Sequence, residues 1–129
     1  MVFVTDTHSL IWYLTGDERI GKRAKRIFAD LETGKGKLIV SIIVFLETLV
    51  LIEKGKIQTS WQEFNDKVAQ FPTVTFYPVG FDLLQEVKKV SQLLDLHDRI
   101  LVTTAKIYKA ILITKDRQIK MTKEVKTAW

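Results

Sequence analysis

Strands and helical patterns alternate along the whole of this 129-residue chain. That alternation predicts an α/β fold: a single-domain, three-layer α/β/α sandwich around a central, mainly parallel sheet. Three observations carry the expectation. Short β-rich runs at Val2–Thr5, 38–41, Val74–Tyr77 and 110–113 are too brief for helices and suit strands, the apolar ones as buried parallel strands. The segments between them place apolar residues at spacings of three and four. No repeat, low-complexity tract or linker interrupts the series, so residues 1–129 read as one domain.

The first strand runs directly into Asp6. Leu10, Ile11 and Leu14 then predict a helix over 7–14, stopped at Thr15-Gly16. Taken alone, Asp6 reads as the cap of that helix, accepting bonds from backbone N–H groups. Trp12 and Tyr13 read as packing residues. Ile20, Ala24, Ile27, Phe28 and Leu31 form the stripe of a second helix, whose other side carries Lys22, Arg23, Lys25 and Arg26. Gly34-Lys35-Gly36-Lys37 is a turn without phosphate-loop spacing.

After the strand at 38–41, a helix over 42–54 is apolar nearly all round and is expected to be buried on most faces. Glu47 is the odd residue in it. An unpaired carboxylate in a core costs several kilocalories or gives up its charge, and a buried ion pair seldom improves on an apolar side chain. A functional role is therefore favoured for Glu47 over a structural pair.

Ser60-Trp61-Gln62-Glu63 is a capping box, opening a helix with Trp61, Phe64, Val68 and Phe71 on its apolar face; Pro72 ends it. Val74–Tyr77 is the third strand, closed by Pro78. Asp82 is expected to cap the next helix, which buries Leu83, Val87, Val90 and Leu94. Asp82, Glu86 and Asp95 read as caps or solvated residues. Asp98 is expected to open a helix that buries Leu101, Ala105 and Tyr108 and leads into the strand at 110–113. Thr114, Lys115 and Asp116 then stand just past that strand's carboxyl end, and residues 125–129 add a short edge strand.

Composition narrows the function classes. Hydrophobic content of 47% with 27% charged residues is globular rather than disordered. With no cysteine, thiolate metal sites, thiol catalysis and disulfides are all excluded. Met1 to Val4 carries no basic leader, and the longest apolar run, 38–52, is broken by Ser41, Glu47 and Thr48 and is too short to span a bilayer. The expectation is a soluble, cytoplasmic protein. A net charge of +5 fits either a solvated surface or a polyanionic partner. Its placement favours the partner, because Lys115, Arg117, Lys120, Lys123 and Lys126 crowd the segment around Asp116.

Parallel strands end at one edge of their sheet, and ligands bind outside those carboxyl ends. Asp6 follows the first strand and Asp116 the last long one; Asp98 opens the helix beside them, and Glu47 lies in the helix after the second strand. Carboxylates that converge raise one another's pKa values unless a cation offsets them. An all-oxygen set suits a hard cation, Mg2+ or Mn2+, held partly through water. Such a site acidifies water and steadies the leaving oxygen during attack on a phosphodiester. Acids that hold the metal and basic residues that hold the backbone together describe a nuclease.

The residues also carry a family resemblance. VTDTHSLIWYLTGDERIGKRA, VSIIVFLETLVLIEKGKI, LHDRILVTTA and LITKDRQI resemble the acid-bearing segments of PIN domains, in particular the VapC-type toxin ribonucleases of toxin-antitoxin pairs. The segments at 6–16 and 97–116 are the most specific, and 58–95 carries little family signal. The resemblance implies a Mg2+- or Mn2+-dependent endoribonuclease acting on RNA, often a homodimer and usually inhibited by a cognate antitoxin. It assigns Asp6, Glu47, Asp98 and Asp116 as the acidic, metal-binding set and Thr114 as an orienting residue. Leu96-His97 stands where many relatives carry an Asp-Pro pair. His8 and His97 stay outside the catalytic set, and Arg99 is expected in a salt bridge rather than on phosphate.

Two rivals remain. A phosphorylatable receiver domain shares the size and sheet, but wants adjacent acids after strand one and an aspartate after strand three, where Thr5-Asp6 and Pro78-Val79-Gly80 stand. A non-catalytic RNA- or partner-binding module on the same fold is the closer alternative; binding without any metal requirement would mark it.

Overall fold

Five strands, β1 (Val2–Thr5), β2 (Lys37–Ser41), β3 (Val74–Tyr77), β4 (Ile111–Ile113) and β5 (Thr127–Ala128), form one sheet in the order β3-β2-β1-β4-β5. Every pairing is parallel. The computed structural model describes all residues 1–129. From β1 the chain steps outward to β2 and β3, then returns across β1 to lay down β4 and β5. That reversal opens a crevice at the carboxyl ends of β1 and β4. Thr5 pairs with Ile113, and the Asp6 N–H donates to the Ile113 carbonyl at 3.1 Å, so Asp6 and Thr114 leave the sheet side by side.

Seven helices cover the sheet: α1 (Thr7–Thr15), α2 (Lys22–Glu32), α3 (Ile42–Glu53), α4 (Trp61–Ala69), α5 (Phe81–Val87), α6 (Leu96–Tyr108) and α7 (Arg117–Thr122). Right-handed crossovers put α1 to α4 on one face and α5 to α7 on the other. Accordingly α1 packs on α2 and α3, α5 on α6, and α6 against β1 and β4. Val4, Leu38, Val40, Leu112 and Ile113 are fully buried between these layers. Gly16 ends α1 at φ 68°, donating its N–H to the Trp12 and Tyr13 carbonyls; a side chain would be strained there. No helix is long and apolar enough to cross a membrane.

The structure corrects several local expectations. Asp95, not Asp98, caps α6: its side chain accepts from the Asp98 N–H, and Asp98 sits in the first turn. Asp82 is likewise inside the first turn of α5 and caps nothing, since Gly80 holds the cap position without a side-chain bond. Helix α3 is not buried on most faces. Leu46 is 52% exposed and Val50 46%, because the sheet and α1 occupy only one side of it. Arg99 forms no salt bridge; its guanidinium donates to the Val87 carbonyl at 3.2 Å, at the end of α5. Helix α7 has no counterpart in the hydrophobic pattern, because of its six residues only Ile119 is buried.

Candidate functional site

Asp6, Glu47, Asp98 and Asp116 all line one open cleft of about 520 Å³ at the carboxyl edge of the sheet. Four separate chain segments deliver them, and Asp6 and Asp116 are each held by a local cap. Asp6 caps α1 with Oδ1, which accepts from the Ser9 N–H at 2.9 Å. Asp116 caps α7 in the same way, its Oδ1 accepting from the N–H groups of Gln118 at 2.8 Å and Ile119 at 3.3 Å. The capping role read for Asp6 is therefore real, and it leaves that carboxylate's Oδ2 for the cleft. Capping also fixes the rotamer, because a carboxylate bound to backbone N–H groups cannot swing into solvent.

Glu47 is not sunk in the core. It sits at the cleft wall, where Oε1 accepts from the Thr7 hydroxyl at 2.7 Å and Oε2 meets Nδ1 of His97 at 3.3 Å. Thr114 does not line the cleft. It is buried, and its hydroxyl accepts from the Asp116 N–H at 3.1 Å, so it positions the Asp116 turn.

Asp98 is where the charges converge. Burial, followed by the negative charges of Asp95, Asp116, Asp6 and Glu47, raises its carboxyl from the ordinary aspartate range to about 6. Asp95 is thus a fifth carboxylate of the cleft as well as a cap. Its spacing of three from Asp98 puts both on one side of the helix start, a signal available in the sequence that a capping role alone conceals.

Trp12 lines the same cleft. The Nζ of Lys115 stands 4.8 Å from the centre of its ring, and the guanidinium carbon of Arg19 stands 4.7 Å from it. Trp12 therefore packs, as expected, and also seats a cation at the cleft rim. Of the basic residues around Asp116 in sequence, Lys115 alone lines the cleft.

The donor set suits a hard divalent cation: five carboxylates, with no counter-charge but Lys115. No three of the acidic and histidine side chains already converge on a common point. That arrangement fits an ion such as Mg2+, which keeps several waters and takes one or two carboxylates, better than a fully closed cage.

The sequence profile of the family described as PIN domain matches residues 3–125, so this chain belongs to the PIN domain family, whose members are generally nucleases. Its fold is similar to solved toxin-antitoxin proteins. VapBC2 of Rickettsia felis, bound to a DNA fragment from its promoter, gives a TM-score of 0.71 at 12% identity, over 99% of this chain and 98% of that one. A toxin-antitoxin complex of Klebsiella pneumoniae gives 0.62 at 22%, over 89% and 87%. VapBC-1 of nontypeable Haemophilus influenzae gives 0.64 at 16%, over 99% and 97%. No curated protein sequence matches the chain.

Proposed function

We propose that this protein is a Mg2+- or Mn2+-dependent endoribonuclease that hydrolyses RNA phosphodiester bonds, the toxin of a toxin-antitoxin pair. One observation carries the proposal. Carboxylates from four separate segments meet in one cleft at the topological switch point, where burial and their negative charges raise the Asp98 carboxyl to about 6. Structural acids are spread apart or paired with cations; five acids gathered around one lysine are poised for a positive ligand.

In this reading Asp6, Glu47, Asp98 and Asp116, which line the one cleft, are the residues that would hold the cation. When bound there, such a cation supplies Lewis-acid charge to the phosphodiester and lowers the pKa of water. The chain's own residues do the positioning. The cap bonds of Asp6 and Asp116 hold their carboxylates still, and the Thr7 hydroxyl orients Glu47, with His97 beside its other oxygen. Thr114 holds the turn that presents Asp116. Lys115, seated on Trp12, is placed to meet a substrate phosphate at the rim.

The test is cleavage of a mixed RNA pool by the purified protein in Mn2+, in Mg2+ and in chelator, beside Asp98→Asn. Cleavage that needs both metal and Asp98 is expected. A variant that cuts as well as the parent overturns the site. The second reading is a non-catalytic RNA- or partner-binding module on the same fold. RNA binding without cleavage or metal uptake under any condition would support it.

A cognate antitoxin is proposed because the similar structures include toxin-antitoxin complexes. The exposed side of α3, where Leu46 and Val50 lie beside His97, is the proposed contact with a second copy of the chain. Light scattering of Val50→Glu against the parent reads this directly, with loss of the dimer expected. An RNA substrate places the protein in the cytoplasm.

A further inference from the structure

Beyond the far end of α7 from the cleft, Arg23, Lys120, Lys123 and Lys126 line a second concavity of about 540 Å³. The sequence shows these cations as two unrelated clusters a hundred residues apart; the fold joins them. Trp129, directly after β5, makes the join. It seats on Gly21 so closely that a Cβ there would stand 2.7 Å from its backbone carbonyl carbon and its ring. Gly21 precedes α2, so this contact brings Arg23 alongside the β5 edge.

The groove is positive without compensation. Its one acid, Glu124, is already engaged by Lys106 at 2.7 Å, and none of the four groove cations takes part in an ion pair. The Lys126 and Ala128 carbonyls accept from β4. Backbone groups alternate sides along a strand, so the N–H of Thr127 faces outward, into the groove. We propose that this groove is a binding site for the phosphate backbone of single-stranded RNA, separate from the acidic cleft. The proposal deepens the ribonuclease reading and rests on it for the identity of the substrate.

Two arguments support the choice. The cleft carries five carboxylates and one lysine, so it repels a polyanion, and the attraction has to come from elsewhere on the surface. Helix α7 has six residues, roughly 9 Å of rise. It carries Asp116 of the cleft at its start and Lys120 and Lys123 of the groove at its end, so a strand crossing the cleft reaches the groove within a few nucleotides. An acidic peptide adding as a strand fits less well. Edge strand β5 has only two residues, and a lysine on a sheet edge discourages pairing.

The backbone offers an unusually clean test. Lys123 lies in the left-handed region at φ 55°, where glycine is more comfortable, so Lys123→Gly removes a charge without removing a fold contact. Lys109, at φ 51°, is the other non-glycine residue in that region and lies outside the groove; Lys109→Gly is its matched control. Full-length protein carrying Asp98→Asn is titrated in chelator with a short single-stranded RNA over a range of salt. The background variant is compared with added Lys123→Gly, with added Lys109→Gly, and with Arg23, Lys120 and Lys126 changed to Gln alongside Lys123→Gly.

The slope of log affinity against log salt should become shallower by about 0.7 per groove cation removed, and by about 3 for all four. Lys109→Gly should leave it unchanged. A slope that does not move in the fourfold variant overturns the proposal. So does competition by inorganic phosphate at equal phosphate concentration, which would assign the groove to a free anion, or tighter binding of a glutamate-rich peptide of equal charge. Cleavage by the parent is scored separately. A protein that never cleaves but shows the slope change loses the nuclease reading and keeps the groove; one that cleaves without the slope change loses only the groove.

Discussion

The acidic cleft and the basic groove lie at opposite ends of α7 and hold their charges in opposite ways. In the cleft, Asp6 and Asp116 are pinned by backbone N–H groups, Glu47 accepts a bond from Thr7 and lies against His97, and Asp98 is lifted by burial and the like charges around it. In the groove, Lys120 and Lys123 are exposed side chains without ion-pair partners, and Arg23 is brought alongside them by the close contact of Gly21 with Trp129. The difference follows from what each must hold. A small cation needs donors fixed to fractions of an ångström, whereas a flexible phosphate chain is satisfied by mobile point charges that release counterions. Rigid acids and loose cations are thus two solutions to two binding problems on one fold.

The sharpest way to break this contrast is to remove the central acid. Asp98→Asn should lower metal-dependent cleavage by about 10³-fold, a figure typical of removing one preorganised charge-stabilising group, while RNA affinity in chelator stays near that of the parent. Cleavage rates and titrations on one preparation check both halves.

The next largest effect is structural. Gly21→Ala should destabilise the fold by about 1–3 kcal/mol, because the methyl has no room against the Trp129 backbone and ring. Denaturant unfolding measures it. Because α2 is displaced from β5, the same variant should also weaken the salt dependence of RNA binding while leaving the acids in place.

A smaller effect sharpens the electrostatics of the cleft. The folded-state pKa of Asp98, raised to about 6, means that the native protein keeps this proton over a range where the unfolded chain has lost it. Where the native state binds more protons, stability falls as pH rises. In chelator, this group's contribution should therefore decline between about pH 4 and pH 6 and stay flat above. Asp98→Asn abolishes that decline. At pH 7.5 the variant should be the more stable by about 1 kcal/mol, after discounting for the half-exposed position of the carboxyl. Excess Mn2+ should reverse the order, since a ligand that binds only the native parent stabilises it. Thermal melts with and without metal give both signs.

Particular elements show what could be read in advance. Strands β1, β3 and β5, helix α1 with its Gly16 stop, and the Ser60 cap of α4 lie where the pattern put them. Each depends on short-range chemistry: alternation, a cap side chain, a glycine at positive φ. Helix α3 misled because an all-apolar helix is equally consistent with a buried helix and with one that keeps an apolar side in solvent. Helix α7 was illegible because so short a helix has no period to detect; its start is declared only by the cap bonds of Asp116. At the candidate site the four acids were legible one by one, as polar residues just past strands or inside apolar helices. Asp95 was hidden behind its capping role despite its spacing of three from Asp98, and the His97 contact on Glu47 and the seat of Lys115 on Trp12 leave no mark on local sequence.

By itself the sequence determined the class of fold, the order of its elements and which carboxylates stand near strand ends, since hydrophobic period and capping chemistry act within a few residues. Only the tertiary structure decided that β4 lies beside β1, that five carboxylates share one cleft, and that Arg23 meets Lys126 across a tryptophan. These juxtapositions arise from the crossover that reverses strand order and from close packing between segments a hundred residues apart. Interactions of that range are set by the whole core at once, and no local pattern encodes them.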